Sequence, residues 1–137
     1  MDDKEIIENE FNKIAIQFLE QGKALCDRMN NDSICAGDII QLETAVKMKR
    51  NLIITFASVQ LLQYKKYIDN NDFSFIEKFD LKSLRNANMI VIKKYLSFIK
   101  LFKKLNPDNK RILFDYLKIF SDLVVKYEQI TQVETIL

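Results

Sequence analysis

Apolar residues recur every three or four positions along most of this 137-residue chain. Near the N-terminus the pattern runs through Ile7, Phe11, Ile14 and Phe18, the spacing that places side chains on one face of an α-helix. The periodicity stops at the polar stretch NNDSICAG. The pattern therefore predicts a first helix over residues 3–29.

A second helix is predicted over residues 38–69. Asp38 and Gln41 form a capping-box pattern at its start. The segment LIITFASV, residues 52–59, is rich in β-branched side chains and would also suit a strand. The apolar run continues beyond this segment without a flanking Gly or Pro, so the pattern favours a buried helix.

A third long helix is predicted over residues 81–105, after a short helical turn near residues 74–79. Ser74 and Glu77 form a second capping pattern at that turn. The apolar stripe of the third helix consists of Leu84, Val91, Tyr95, Phe98, Phe102 and Leu105. These residues would face the core, opposite a basic face.

The pair Asn106 and Pro107 is typical of a helix start, because Asn caps well and Pro tolerates the first helical position. A fourth helix is therefore predicted over residues 107–131. Long helices joined by short connections are usually neighbours in space. The fold class predicted is all-α, an antiparallel bundle of four long helices in a single domain, residues 1–137.

Composition supports this class. Hydrophobic residues make up 48% of the chain, which is enough for a core, and two Gly and one Pro are too few for a turn-rich sandwich or barrel. The chain has no His and two cysteines, Cys26 and Cys35, so it cannot assemble a zinc site of four Cys or His ligands by itself. We expect reduced, structural cysteines and no metal or other cofactor.

The acidic N-terminal sequence MDDKEIIENEF lacks the features of a secretory signal, and the most apolar window is too short to span a bilayer. The prediction is a cytoplasmic protein with no membrane partner.

Enzymatic chemistry is not indicated, because the commonest general base, His, is missing. The carboxylates considered as candidates are predicted to be helix caps or solvated charges: Glu5, Glu8, Asp27, Asp38 and Glu43. Cys35 would need a nearby cation to become a good nucleophile, and no basic residue is close to it in the sequence. We therefore predict a non-enzyme without a small-molecule substrate.

Charge is unevenly distributed, although the formal net charge is only +2. Residues 81–111 contain nine basic residues and one acid, whereas residues 1–80 contain ten basic and fourteen acidic residues. On a helical projection six cations of the third helix share an arc of about 100°. They are Lys82, Arg85, Lys93, Lys100, Lys103 and Lys104.

Three interpretations of this basic face remain open: a solvated helix end, a surface for a nucleic-acid backbone or other polyanion, and a surface for an acidic protein. The aromatic residues lie on the core stripe, so base stacking is not indicated. The fourth helix differs, because charges of opposite sign alternate along it at helical spacing and neutralise one another. They are Arg111, Asp115, Lys118, Asp122 and Lys126.

Residues 110–128, KRILFDYLKIFSDLVVKYE, resemble the C-terminal helix of the all-helical small subunits of type III CRISPR effector complexes. The resemblance covers about a seventh of the chain. It departs from the family in the Leu-Arg-Asn segment, which here occurs as SLRN at residues 83–86 rather than near the N-terminus. It implies basic side chains that follow an RNA backbone.

An apolar C-terminal tail continues one stripe of the fourth helix and is predicted to be either a docking surface or packed on its own domain. It consists of Ile130, Val133, Ile136 and Leu137. The leading functional prediction is a non-catalytic interaction or assembly module, a small subunit of a larger complex or a homo-oligomer. The alternative is a sequence-independent RNA- or DNA-backbone-binding subunit that uses the basic face.

Overall fold

The computed structural model describes residues 2–72, 74–77 and 89–136. Across these ranges the secondary structure is helical, with no strand, which confirms the all-α fold class. The helices are α1 (Asp3–Arg28), α2 (Ala36–Met48), α3 (Leu52–Asp69), α4 (Ser74–Glu77), α5 (Met89–Lys104) and α6 (Pro107–Ile136).

The prediction of one helix over residues 38–69 is wrong, because the structure divides this segment into α2 and α3. Lys49 adopts an extended backbone conformation, with φ −155° and ψ 114°, and residues 50 and 51 form a turn. Asn12 of α1 donates a hydrogen bond of 2.8 Å from Nδ2 to the carbonyl oxygen of Arg50. The break is thus held by a contact from another helix. The segment LIITFASV is helical, as predicted.

The starts of α1, α2 and α6 agree with the sequence prediction to within a few residues. Cys35 caps α2, and Asp38 accepts a hydrogen bond of 2.9 Å from the backbone N–H of Cys35. Asn106 caps α6 as predicted, because its Oδ1 accepts from the backbone N–H of Asn109 at 2.8 Å. Helix α6 continues to Ile136, beyond the predicted end. The predicted helical segment 81–88 lies outside the described residues.

Asparagine ends two of the long helices. Asn30, after α1, and Asn71, after α3, have left-handed backbone conformations with φ of 51° and 53°. At each end a backbone N–H reaches back across the last turn, from Asn31 to the Cys26 carbonyl and from Asp72 to the Tyr67 carbonyl, both at 2.9 Å. This is the Schellman motif, in which Asn replaces the more common Gly.

A first core cluster joins α1, α3 and α6. Its buried members are Phe11, Ala15, Ile54, Phe120, Val124 and Tyr127. Helices α1 and α6 run antiparallel, since Lys4 contacts Glu134 at one end and Phe18 packs on Tyr116 further along, with ring centroids 5.1 Å apart.

A second core cluster joins the end of α1, the short helix α4, α5 and the start of α6. Its buried members are Cys26, Ile76, Leu101, Phe102, Leu105 and Phe114. Among the helices in the described ranges, none combines the length and the hydropathy needed to cross a membrane.

Candidate interaction surfaces

The basic face is partly visible on α5. Lys93, Lys100, Lys103 and Lys104 are exposed on this helix, and its sequence from Met89 to Lys104 contains no acidic residue. Within the part of the chain that the structure describes, these four ammonium groups have no ion-pair partner. Lys82 and Arg85 lie outside the described residues. The structure therefore places four of the six predicted cations on one helix.

The fifth lysine of α5 has a different role. Lys94 donates from Nζ to both carboxylate oxygens of Asp38, at 2.8 Å and 2.6 Å. Burial opposes the ionised form of Asp38, but the hydrogen bonds from Lys94 and from the Cys35 backbone outweigh burial and hold the pKa of Asp38 below its ordinary value. The hydrogen bond to Asp38 likewise raises the pKa of Lys94.

Helix α5 is also attached to the loop between α1 and α2. Ser97 donates from Oγ to Asp32 Oδ1 at 2.5 Å, and Asn31 donates from Nδ2 to the Ser97 carbonyl at 3.0 Å. The exposed thiol of Cys35 lies 3.9 Å from Lys94 Nζ. Sequence reasoning missed this cation because it is 59 residues away along the chain.

The prediction that Glu8 is a cap or a solvated charge is wrong. Glu8 is only 4% exposed, and its carboxylate accepts hydrogen bonds from Tyr127 Oη at 2.5 Å and from Arg50 Nε at 2.9 Å. Arg50 also pairs with Glu5 at 3.2 Å. A carboxylate can remain buried here because both of its oxygens have donors.

The hydrogen bond to Glu8 also affects the pKa of the Tyr127 hydroxyl. Burial, together with the hydrogen bond and the negative charge of Glu8, raises the pKa of Tyr127 to about 12. Lys4 lies 5.4 Å from the centre of the Tyr127 ring and pairs with Glu134. These groups connect α1, α6 and the α2–α3 break through side chains, and Lys4, Glu8 and Arg50 also line a surface pocket of about 450 Å³.

An uncharged apolar surface on α3 was not predicted. No charged residue occurs from Leu52 to Tyr64, and two large side chains on the outer face are mostly exposed, Phe56 at 76% and Val59 at 68%. Leu52 is on the same stripe at helical spacing, and Met48 at the end of α2 is 78% exposed. We call Leu52, Phe56 and Val59 the α3 outer face, and Met48 belongs to α2. Phe56 lies within LIITFASV, which the sequence analysis expected to be mostly buried.

The C-terminal tail lies against α1. Ile130 and Val133 line a shallow groove together with Ile6 and Ile7 of α1. Val133 is 54% exposed and Ile6 is 50% exposed, so the groove is only partly covered. Ile136 ends helix α6, and Leu137 lies outside the described residues. Two of the residues predicted to form a docking tail therefore line a groove between α1 and α6.

Two apolar cavities adjoin the second core cluster. The first, of about 260 Å³, lies between α1, α5 and α6, and we call it the α1–α5–α6 cavity. The second, of about 420 Å³, lies between α3, α4 and α6. Phe18, Phe98 and Leu113 line both of them and separate one from the other.

The described ranges contain no group of three or more Cys, His, Asp or Glu side chains that could hold a metal ion. The sequence matches no protein-family model, no curated protein and no solved structure. The resemblance of residues 110–128 to small subunits of type III CRISPR complexes therefore stays a prediction.

Proposed function

We propose that this protein is a non-catalytic helical bundle that assembles with a second copy of itself through the α3 outer face. The observation that carries the proposal is the exposure of Phe56 and Val59 on a helix segment without charge. Contiguous apolar patches, unlike singly exposed residues, mark interaction sites on folded proteins.

A second copy suits this face better than a charged partner. The face offers no ion to a charged surface, and two copies related by a two-fold axis can pack it against itself without opposing like charges. Aromatic side chains such as Phe56 contribute strongly when they are buried at the centre of an interface. The two free cysteines agree with a reducing, cytoplasmic location, which we also propose.

Molar mass by size-exclusion chromatography with light scattering tests the assembly. We expect a dimer for the wild type and a monomer for the double variant Phe56→Glu, Val59→Glu, with helical circular dichroism unchanged because both side chains are already exposed. Val133→Glu, in the groove of the C-terminal tail, is the matched control and should leave the dimer intact.

A wild type that is monomeric at high concentration would overturn the proposal. Dissociation by Val133→Glu alone would instead assign the interface to the C-terminal tail, which sequence analysis named as a possible docking surface.

A second candidate function, binding of a nucleic-acid backbone, is favoured by the four exposed lysines of α5 that lack acidic neighbours on that helix. Each phosphate contact releases counterions, so log affinity should fall with log salt by about 0.7 to 0.9 per contact. Lys93→Glu with Lys100→Glu should abolish binding to RNA or DNA of any sequence. Lys118→Glu with Lys126→Glu, on α6, should weaken binding much less.

A wild type without salt-dependent binding, or equal effects of the two double variants, would leave these lysines as solvated charges. An acidic protein surface remains the other interpretation of the same face, and pulldown with an acidic polypeptide in place of nucleic acid distinguishes it.

A further inference from the structure

The α1–α5–α6 cavity is mainly apolar. Its volume is about 260 Å³, and its walls include Phe18, Leu25, Leu101 and Leu113. Water would find few hydrogen-bond partners on such walls, so an apolar ligand would gain free energy by filling them.

The polar groups of this cavity are few. Arg28 is the one charged residue among those that line it in the described part of the chain, and Gln21 and Asn109 also contribute to the lining. Arg28 and Gln21 are exposed, which places them at the opening. Arg28 has no ion-pair partner within the described ranges. A guanidinium presents a planar fork that matches a carboxylate.

The second cavity lacks this combination. Its described lining contains no charged residue, although it is larger, at about 420 Å³. An amphiphile with an anionic head group would therefore be recognised at the first cavity and not at the second.

We propose that the α1–α5–α6 cavity binds a linear carboxylic acid, with the chain among the apolar walls and the carboxylate at Arg28. A cavity of about 260 Å³ has room for a short alkyl chain. This site is independent of the α3 outer face, and its ligand goes beyond the assembly function.

Calorimetric titration of the full chain with hexanoate, octanoate and decanoate, each below its micelle concentration, tests the proposal. We expect saturable binding of one molecule, with affinity rising about fourfold for each added methylene as apolar surface is buried. The affinity should stop rising when the chain exceeds the cavity. Octanol should bind up to about fivefold more weakly than octanoate, because it forms no ion pair.

Two variants locate the ligand. Ile112→Trp should block the cavity and abolish binding, because Ile112 lines the cavity and is 45% exposed. Ile119→Trp is its control, since Ile119 is 43% exposed on the same helix and lines none of the cavities described. Arg28→Gln should weaken octanoate binding about fivefold and leave octanol unchanged, whereas Lys118→Gln should change neither.

Absence of saturable binding by all three acids would overturn the proposal. So would equal effects of the two Trp variants, or an Arg28→Gln variant that binds octanoate as the wild type does. Circular dichroism checks that Ile112→Trp is folded, and the Arg28→Gln comparison carries the test if it is not.

Discussion

The two core clusters differ in how closely their side chains pack. In the first, aromatic rings of α1 and α6 interlock, with Phe11 and Phe120 centroids 5.0 Å apart, and a buried carboxylate is matched by two donors. In the second, Phe98 lies between two apolar cavities, and polar contacts from the loop between α1 and α2 help to hold α5. The first cluster is therefore where stability should concentrate, and the second is where a ligand could fit.

The largest expected effect follows from truncating an aromatic ring in each cluster. Phe120→Ala should lower the free energy of unfolding by about 3–5 kcal/mol, because Phe120 is buried and contacts Phe11, Phe18 and Tyr116. Phe98→Ala should cost less than half as much, because Phe98 is half-buried and already borders empty space. Urea denaturation of both variants measures the difference. Equal losses would show that the two clusters are packed alike.

The next effect concerns the hydroxyl of Tyr127. Tyr127→Phe should cost about 1–3 kcal/mol at neutral pH, because it removes one of the donors that compensate the buried Glu8 carboxylate. Chemical denaturation at pH 7 measures this loss. Phe replaces the ring without changing its packing, so the hydroxyl alone is tested.

The pH dependence of the same variant has a definite sign. Because the pKa of Tyr127 is about 12 in the folded chain and ordinarily 10.0, its contribution is complete below pH 10. The contribution is lost as the pH rises from about 10 through about 12, since the unfolded chain then releases the proton first. Stability of the wild type and of Tyr127→Phe should therefore converge in this window. A constant difference across it would contradict the assignment.

A smaller effect is expected where α5 meets α2. Lys94→Gln removes the ion pair with Asp38, and because the pair is partly exposed the loss should be at most about 1 kcal/mol. The lowered pKa of Asp38 means that the pair contributes at neutral pH and is lost as the pH falls through that lowered value. Thermal unfolding at pH 7 and at strongly acid pH should show a difference only at pH 7. Lys93→Gln, with an unpaired lysine, is the control.

The smallest effect is expected for Gly22→Ala beside the α1–α5–α6 cavity. An added Cβ would lie 2.6 Å from Ile34 Cδ1, so the end of the Ile34 side chain must move, and the adjacent cavity gives it room. Alanine gains about 1 kcal/mol of helix propensity, which offsets the displacement. We expect a net change within about 0.5 kcal/mol by urea denaturation. A large destabilisation would indicate that Ile34 is held firmly and that the cavity wall is rigid.

Sequence reasoning succeeded where the signal is local. The first helix, the helical state of LIITFASV and the cap at Asn106 depend on spacing and hydrogen bonds within about four residues, and all are found in the structure. Four exposed lysines on one face of α5 also follow from helical periodicity once the helix is known. Helical periodicity does not identify what these lysines bind, because a solvated surface and a binding surface can show the same spacing of lysines.

Only the tertiary structure decided the break between α2 and α3, the burial of Glu8 and the exposure of Phe56. The break has no Gly or Pro, and the contacts that hold it come from Asn12 and Glu8, 38 and 42 residues away. Glu8 is buried because its second donor, Tyr127, is 119 residues distant. Local periodicity reports which side chains share a face, whereas the partner that covers or neutralises them depends on how distant helices meet. The amphipathic pattern therefore determined the helices, and their packing determined which charges are paired and which apolar face is left open.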